Sequence, residues 1–186
     1  MSLADDRAFT PMPGGRGTQP VSLVGPLEVF TVAETAELVT TSSGMQVQPR
    51  YTFANHPPID LLVVPGGDTR QSQKSPVVLE WLRTVTASAR LTTSACTGAF
   101  LLATIGLLDG RRATTHWGAL DQLEERFPKV QVQRNTSWVD EGDVITAAGI
   151  SAGIDMSLHV VDRLLGRPQA EEVAHMIEYS WDQRGQ

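Results

Sequence analysis

The chain has 186 residues, of which 41% are hydrophobic and 19% are charged, as is typical of one globular domain with a substantial buried core. Its formal net charge of -6, with no basic run longer than Arg111-Arg112, argues against a nucleic-acid-binding or acidic-membrane surface. Cys96 is the only cysteine, so an internal disulfide is excluded, and a lone thiol favours a reducing, cytoplasmic location.

Residues 1–20, "MSLADDRAFTPMPGGRGTQP", are rich in proline, glycine and polar side chains. This composition predicts a flexible N-terminal arm ahead of a single domain at residues 21–186. The arm lacks the basic start and apolar centre of a signal peptide. No apolar run in the chain approaches the length of about 20 residues that a membrane-spanning helix needs. We therefore expect a cytoplasmic protein that does not associate with membranes.

The next segments predict a helix, a turn between two strands, and a buried strand. "VSLVGPLEVF" contains a turn at Gly25-Pro26, and we expect a helix that begins at Pro26 or Leu27 because proline suits the first helical turn. The β-branched residues on both sides of Ser43-Gly44 predict two strands joined by a turn. "IDLLVVPGG" is continuously apolar, a pattern typical of a strand covered on both faces in a parallel sheet.

The second half alternates predicted helices and strands. Ser75 and Pro76 mark the start of a helix, and "RLTTSAC" predicts a strand that ends at Cys96. "GAFLLATIGLLDG" predicts a buried helix closed by Gly110. A short strand, a helix, a hairpin or pair of edge strands, and two final helices follow. Strands that alternate with helices predict an α/β fold, a three-layer sandwich with a mainly parallel, flavodoxin-like sheet.

Cys96 lies between a predicted strand and a predicted helix, where ligands gather in open α/β sheets. Small residues surround it in "SACTGA", as a tight nucleophile-bearing turn requires. The N-terminus of the next helix would stabilise a thiolate, and the next backbone N–H would stabilise an oxyanion. A buried structural cysteine is the alternative, since cysteine is among the most buried residue types. Spacing alone leaves both interpretations open.

Four stretches of the sequence resemble the ThiJ/PfpI superfamily, which has a class I glutamine-amidotransferase-like fold. They are "GPLEVF", "VVPGG", "SACTGAFLLATIGLLDGRRATTHW" and "AAGISAGIDMSLHVV". Within the superfamily, the sequence looks most like isonitrile hydratases and the sensor-like domains of AraC-type regulators. The resemblance covers about residues 21–180 and favours a nucleophile elbow at Cys96.

The resemblance implies catalytic roles for several residues. Cys96 would be the reactive thiol, and the backbone N–H groups of Thr97 and Gly67 would form an oxyanion pocket. Isonitrile hydratases carry a carboxylate where this chain has Ser22, and a serine hydroxyl is a poor proton carrier near neutral pH. Glu28 is interpreted as a solvated carboxylate rather than a replacement. The family also begins with an apolar strand, whereas this chain has prolines there.

His116 is the remaining catalytic candidate, because neighbouring parallel strand ends can bring it close to the cysteine. A packed histidine that bonds to the backbone is the alternative. Gly66, Gly149 and Ile150 lie at strand ends and are candidate binding residues, although turn packing explains them equally well. No histidine has metal-ligand spacing with a cysteine or carboxylate, so we expect neither a metal nor another cofactor.

These residues support two functional hypotheses. The first is a small-molecule hydratase or hydrolase with Cys96 as its nucleophile, for which the resemblance implies hydration of an isonitrile to an N-substituted formamide. The second is a non-enzymatic sensor of oxidants or of a small ligand, which the loss of the carboxylate at Ser22 favours. The expected partners are a small molecule and a second copy of the chain in a homodimer, but neither nucleic acid nor a membrane.

Overall fold

The computed structural model describes residues 27–41 and 43–181. Predictions for the arm at residues 1–20, for the Gly25-Pro26 turn and for Ser22 therefore lie outside the described residues. The strands are β1 (Val32–Ala33), β2 (Val39–Thr40), β3 (Gln46–Val47), β4 (Tyr51–Thr52), β5 (Leu61–Val64), β6 (Leu91–Ala95), β7 (Arg112–Ala113), β8 (Gln131–Val132), β9 (Trp138–Asp140) and β10 (Val144–Ala147). The helices are α1 (Pro76–Ser88), α2 (Ala99–Thr104), α3 (Leu120–Arg126), α4 (Ile150–Leu165) and α5 (Arg167–Met176).

The central sheet has the strand order β5-β6-β10-β9 among the described residues. β6 pairs in parallel with both β5 and β10, and β9 joins β10 antiparallel at one edge. Three shorter pairs form separate two-stranded sheets: β1 with β4, β2 with β3, and β7 with β8. The prediction of an α/β fold with a mainly parallel sheet is confirmed.

Helices cover both faces of the central sheet, and alternate residues of each strand enter different cores. On one face, Leu62 and Val64 of β5 pack with buried residues of α1, α2 and α3. On the other face, Ile145 and Ala147 of β10 pack with Met156 of α4, and α5 packs against α4. This arrangement gives the three predicted layers.

β5 has a free edge in the described part of the chain, where β6 is its partner. Val63 projects to the same face as Leu61, yet its side chain is 55% exposed. β5 is therefore not covered on both faces at this position, contrary to the expectation from its continuous apolar run.

The helix predicted from Pro26 or Leu27 is wrong for the part that the structure describes. Residues 27–31 form no helix and lead into β1. The carbonyl of Thr31 accepts hydrogen bonds from the N–H groups of Arg50 and Tyr51, so this backbone is paired with a segment about 20 positions away. Long-range pairing thus overrides the local helix signal.

The buried helix after Cys96 is shorter than predicted. It forms as α2 and is buried from Ala99 to Ala103, but it ends at Thr104 rather than at Gly110. Gly106 and Gly110 have φ angles of 81° and 78°, in the left-handed region that favours glycine and that an α-helix cannot contain. The predicted strand pair around Ser43-Gly44 is confirmed by the antiparallel pairing of β2 with β3.

Candidate functional site

Cys96 occupies a sharp turn between β6 and α2. Its φ angle is 55°, in the left-handed region that non-glycine residues rarely adopt. Residues Cys96–Gly98 form a single 3-10 turn that joins the strand to the helix. Cys96 is partly exposed, which does not fit the alternative of a fully buried structural cysteine. Within the described residues, no hydrogen bond to the thiol is present.

Two glycines allow the backbone to fold tightly around this turn. A Cβ atom on Gly66 would lie 2.7 Å from the Cβ of Cys96 and 2.9 Å from the backbone nitrogen of Thr97. A Cβ atom on Gly98 would lie 2.3 Å from the carbonyl oxygen of Val64. All three distances are too short for a side chain, so the end of β5 and the turn at Cys96–Gly98 depend on these glycines for their close approach.

Thr97 joins the cysteine turn, residues Cys96–Gly98, to the glycine turn after β5, which contains Gly66 and Gly67. Its Oγ1 donates a hydrogen bond to the carbonyl of Gly67 at 2.8 Å and accepts one from the N–H of Gly67 at 2.9 Å. The N–H of Gly67, an expected oxyanion donor, therefore already has a partner. It can bind substrate only after the Thr97 hydroxyl rotates away.

Two further segments after strands contact Cys96. Its N–H donates to the carbonyl of Ala148, which follows β10, at 2.8 Å. Its carbonyl accepts a 2.7 Å hydrogen bond from the hydroxyl of Thr115, which follows β7. The next residues on these segments are Gly149 and His116. The ends of β5, β6, β7 and β10 therefore meet around one cysteine.

His116 lies beside this cluster, but it is not hydrogen-bonded to the thiol in the described part of the molecule. Its Nδ1 accepts a hydrogen bond from the N–H of Gly118 at 3.2 Å. The proton of a neutral ring is therefore on Nε2, which makes that atom a donor rather than a base. A Cβ on Gly149 would lie 3.7 Å from the Cδ2 of His116, so the ring faces Gly149.

Charged residues near the glycine turn were not identified from the sequence. Asp68 follows Gly67 and forms two hydrogen bonds with the side chain of Arg70, at 2.8 and 2.6 Å. The side-chain hydrogen bonds from Arg70 lower the pKa of Asp68 to about 2, so this carboxylate stays ionised and paired. The Asp-x-Arg spacing is the only sequence signal for the pair, and such spacing is common on surfaces.

The other acidic candidates do not approach the thiol through any described contact. Glu28 pairs with Arg50 at 3.3 Å on the surface. Asp155 is buried, at 5% exposure, in the second turn of α4, and it accepts a 3.1 Å hydrogen bond from the hydroxyl of Tyr179. It links α4 to the segment after α5.

His56 has a packing role in a separate groove. Its Nε2 accepts a 2.9 Å hydrogen bond from the indole of Trp81, and that indole also stacks on Phe53 at 4.2 Å. These residues line a groove of about 700 Å³ between α1 and residues 53–59. The groove shares no lining residue with the cysteine turn.

The described residues contain neither a metal-binding cluster nor a membrane-spanning helix. No cluster of three or more histidine, cysteine, aspartate or glutamate side chains is placed to hold a metal ion there. None of the helices in the described ranges is both long and apolar enough to cross a membrane.

Comparison with known proteins places this site in context. The DJ-1/PfpI family profile matches residues 19–163. Isonitrile hydratase from Pseudomonas putida is 34% identical over 172 residues, which cover 87% of this chain and 74% of that protein. The HTH-type transcriptional regulator CdhR from Pseudomonas aeruginosa is 34% identical, and the match covers 75% of this chain but 41% of the regulator.

A solved structure agrees with the sequence matches. The crystal structure of a ThiJ/PfpI family protein from Pseudomonas syringae has a TM-score of 0.76 and 32% identity to this chain. The match covers 83% of this chain and 64% of the solved one, so slightly more than a third of the solved chain lies outside the match. The resemblance identified from the sequence is confirmed.

Proposed function

Because the chain belongs to the DJ-1/PfpI family, we propose that it is a metal-independent hydratase or hydrolase of small molecules with Cys96 as its nucleophile. The observation that carries this proposal is the left-handed backbone of a partly exposed Cys96 at the end of β6. Such a backbone is costly, and it presents the side chain above the sheet edge. A cysteine with only a packing role does not require it.

The proposed reaction is hydration of an isonitrile, R–N≡C, to the formamide R–NH–CHO. The Cys96 sulfur bonds to the terminal carbon and that carbon gains a proton, which gives the thioimidate R–N=CH–S–Cys. Water then adds to the same carbon while the nitrogen takes up a proton. The C–S bond breaks, the carbonyl forms, and the thiol regains its proton. The sum is one isonitrile and one water to one formamide.

Thr97 and Gly67 are the proposed donors to the oxygen in the second step. The backbone N–H of Thr97 lies within the 3-10 turn that contains Cys96, and the N–H of Gly67 becomes a second donor once the Thr97 hydroxyl turns away. His116, with its proton on Nε2, is proposed as a donor to substrate or water. Gly66, Gly149 and Ile150 are proposed to line the binding site.

Ser22 occupies the position at which the resemblance implies a proton-carrying carboxylate. Wild-type turnover is therefore expected to be slow, and Ser22→Asp is expected to raise kcat by about a hundredfold, within the usual range for a positioned acid or base. Ser22→Asn is the matched control, because asparagine has the size of aspartate but its amide neither takes up nor releases a proton near neutral pH. Cys96→Ala in the Ser22→Asp background is expected to abolish turnover.

The test measures formamide production from cyclohexyl isonitrile by the four proteins. Turnover that survives Cys96→Ala would contradict the role of the thiol. Absence of turnover in both wild type and Ser22→Asp would remove isonitrile hydration as the reaction.

A second candidate function is a sensor of oxidants or of a small ligand at the same cysteine. It is favoured by Ser22 and by similarity to regulators such as CdhR, of which this chain matches less than half. In this case, dilute hydrogen peroxide is expected to add two oxygens to Cys96 as a sulfinate without loss of the fold. Intact-mass spectrometry of the single-cysteine chain measures this directly.

We also propose that the protein is a cytoplasmic homodimer that acts on a small molecule and does not bind nucleic acid. The net charge of -6 supports the absence of nucleic-acid binding, the single cysteine supports the cytoplasmic location, and the homodimer is what the family resemblance implies. Light scattering on the purified protein is expected to give twice the chain mass of 20.2 kDa.

A further inference from the structure

Two large apolar side chains stand out by their exposure. Ile150 is 90% exposed and Trp117 is 79% exposed, the highest values among the exposed large hydrophobic residues in the described part of the chain. Isolated exposed apolar residues are ordinary on protein surfaces. An isoleucine and a tryptophan on two segments that both hydrogen-bond to the same reactive turn are more informative, because exposed apolar side chains near a site favour apolar ligands.

Each residue lies two positions after a residue that hydrogen-bonds to the backbone of Cys96. Ile150 is two residues after Ala148, whose carbonyl accepts the N–H of Cys96. Trp117 is two residues after Thr115, whose hydroxyl donates to the carbonyl of Cys96. The two segments also meet each other, since the His116 ring faces Gly149. Trp117 and Ile150 therefore belong to neighbouring segments beside the thiol.

The backbone around Cys96 offers little charge to a substrate. Gly66, Gly67, Thr97 and Gly149 are uncharged. The closest charged residues in sequence to this set are Asp68 and Arg70, and they pair with each other through two hydrogen bonds. A paired arginine and aspartate contribute little net attraction for a charged ligand. Among the residues that the structure describes, the surroundings thus combine an uncharged turn with two apolar side chains.

We propose that Trp117 and Ile150 hold the apolar substituent of the molecule that reacts at Cys96. The substrate class is then a neutral small molecule with a cyclic or branched hydrocarbon group, and charged substituents are disfavoured because they gain no partner there. This inference rests on the proposed function because it requires the Cys96 sulfur to be the reacting atom. It goes further by specifying the group R and by assigning Trp117 a role in specificity.

The test measures how fast Cys96 is alkylated by two maleimides, N-cyclohexylmaleimide and N-(2-carboxyethyl)maleimide. Each rate is divided by the rate of the same reagent with free glutathione, which removes differences in intrinsic reactivity. The normalised ratio of cyclohexyl to carboxyethyl rates is expected to be about tenfold in the wild type, the size expected from partial burial of a hydrocarbon group. Intact-mass spectrometry suffices, because the chain has one cysteine.

Trp117→Ala and Ile150→Ala are each expected to lower this ratio by about threefold or more, since each removes part of the apolar contact. Met45→Ala is the matched control. Met45 is 60% exposed at the β2–β3 turn, in a separate two-stranded sheet, and its removal is expected to leave the ratio unchanged. Trp117→Leu and Ile150→Val provide milder replacements if an alanine variant does not fold, and each is expected to give an intermediate ratio.

The outcomes separate this inference from the proposed function. A wild-type ratio near one, or a ratio that Trp117→Ala and Ile150→Ala leave unchanged, overturns the inference. If these variants instead dissociate a dimer without changing the ratio, the two residues form a subunit contact and the inference also fails. A high ratio that the variants reduce, together with no turnover of any isonitrile, supports the inference and removes only the proposed reaction.

Discussion

At the scale of single residues, Thr97 connects two of the turns that form the candidate site. Its hydroxyl satisfies both the N–H and the carbonyl of Gly67, so it holds the turn after β5 against the turn after β6. Its backbone N–H lies next to Cys96 in the turn and is proposed to donate a hydrogen bond to the oxyanion. One residue thus sets the position of the glycine turn and controls when the Gly67 N–H becomes free.

Thr97→Val is expected to lower the free energy of unfolding by about 1–2 kcal/mol, because two backbone groups of Gly67 lose their shared partner while the shape of the side chain is kept. Thr97→Ser restores the hydroxyl and is expected to recover most of this loss. Urea denaturation of the three proteins measures it. Equal destabilisation by valine and serine would show that the methyl group, rather than the hydroxyl, is important.

At the scale of elements, the packing of β5 against the cysteine turn depends on the absence of side chains. Gly98 lies under the carbonyls of Val64 and Pro65, and its missing Cβ leaves room for both. The strand end, the 3-10 turn and α2 can then meet in one place. The backbone of Cys96 is strained at the same point, so the elements around it have to hold it in place.

Gly98→Ala is expected to destabilise the fold by several kcal/mol, because the new Cβ would lie 2.3 Å from one backbone oxygen and 2.9 Å from a second. Gly153→Ala in α4 is the matched control. Its nearest neighbour would be the Cβ of Ala95 at an ordinary 3.7 Å, and the gain in helix propensity is expected to stabilise the protein by up to about 1 kcal/mol.

Thermal and urea unfolding of both variants distinguish the two effects. A Gly98→Ala protein as stable as the wild type would contradict the described approach of β5 to the cysteine turn. Destabilisation of similar size by Gly153→Ala would indicate that any added methyl group near the site is harmful.

At the scale of the whole molecule, the sequence predicted those features that depend on local patterns. The continuous apolar run before Pro65 predicted a strand, and the cap at Ser75 predicted the start of α1; both are confirmed, although the predicted cover on both faces of the strand is wrong at the exposed Val63. The helix expected from Leu27 is wrong because Thr31 pairs with Arg50 and Tyr51, and periodicity within a short segment does not reveal such distant partners.

The candidate site was predictable in part, through residues that the family resemblance identified. Cys96, Thr97 and Gly67 meet as expected, since strand ends and small residues mark their positions. The reciprocal hydrogen bonds of Thr97 with Gly67 and the exposure of Trp117 were not predictable. Both depend on how segments far apart in the sequence approach each other, which residue types alone do not specify.

The stability of the whole molecule is expected to depend on Asp140, which joins β9 to α4. Burial acts to raise the pKa of this carboxyl group, but the hydrogen bonds from His159 and the N–H of Gly142, with the charge of Arg163, outweigh burial and lower the pKa below its ordinary value of 3.8. A carboxyl group with a lowered folded-state pKa stabilises the protein above its unfolded-state pKa. That stability is lost as the pH falls from about 5 through the folded-state pKa.

Asp140→Asn is therefore expected to lower the free energy of unfolding at pH 7 by about 1–3 kcal/mol and to make its decline below about pH 5 shallower. Asp121→Asn is the control, because Asp121 is 92% exposed in its ion pair with Arg134 and is expected to change stability much less. Unfolding curves from pH 7 to pH 3 measure both. An unchanged pH dependence in Asp140→Asn would contradict the role of Asp140.

The central claim is that Cys96 is a reachable nucleophile on a strained turn, and intact-mass spectrometry of the folded protein with iodoacetamide tests it most directly. We predict one adduct on every chain under native conditions, none on Cys96→Ala, and a circular dichroism spectrum that stays that of the folded protein. A thiol that remains unmodified in the folded protein and reacts only after denaturation would contradict the claim.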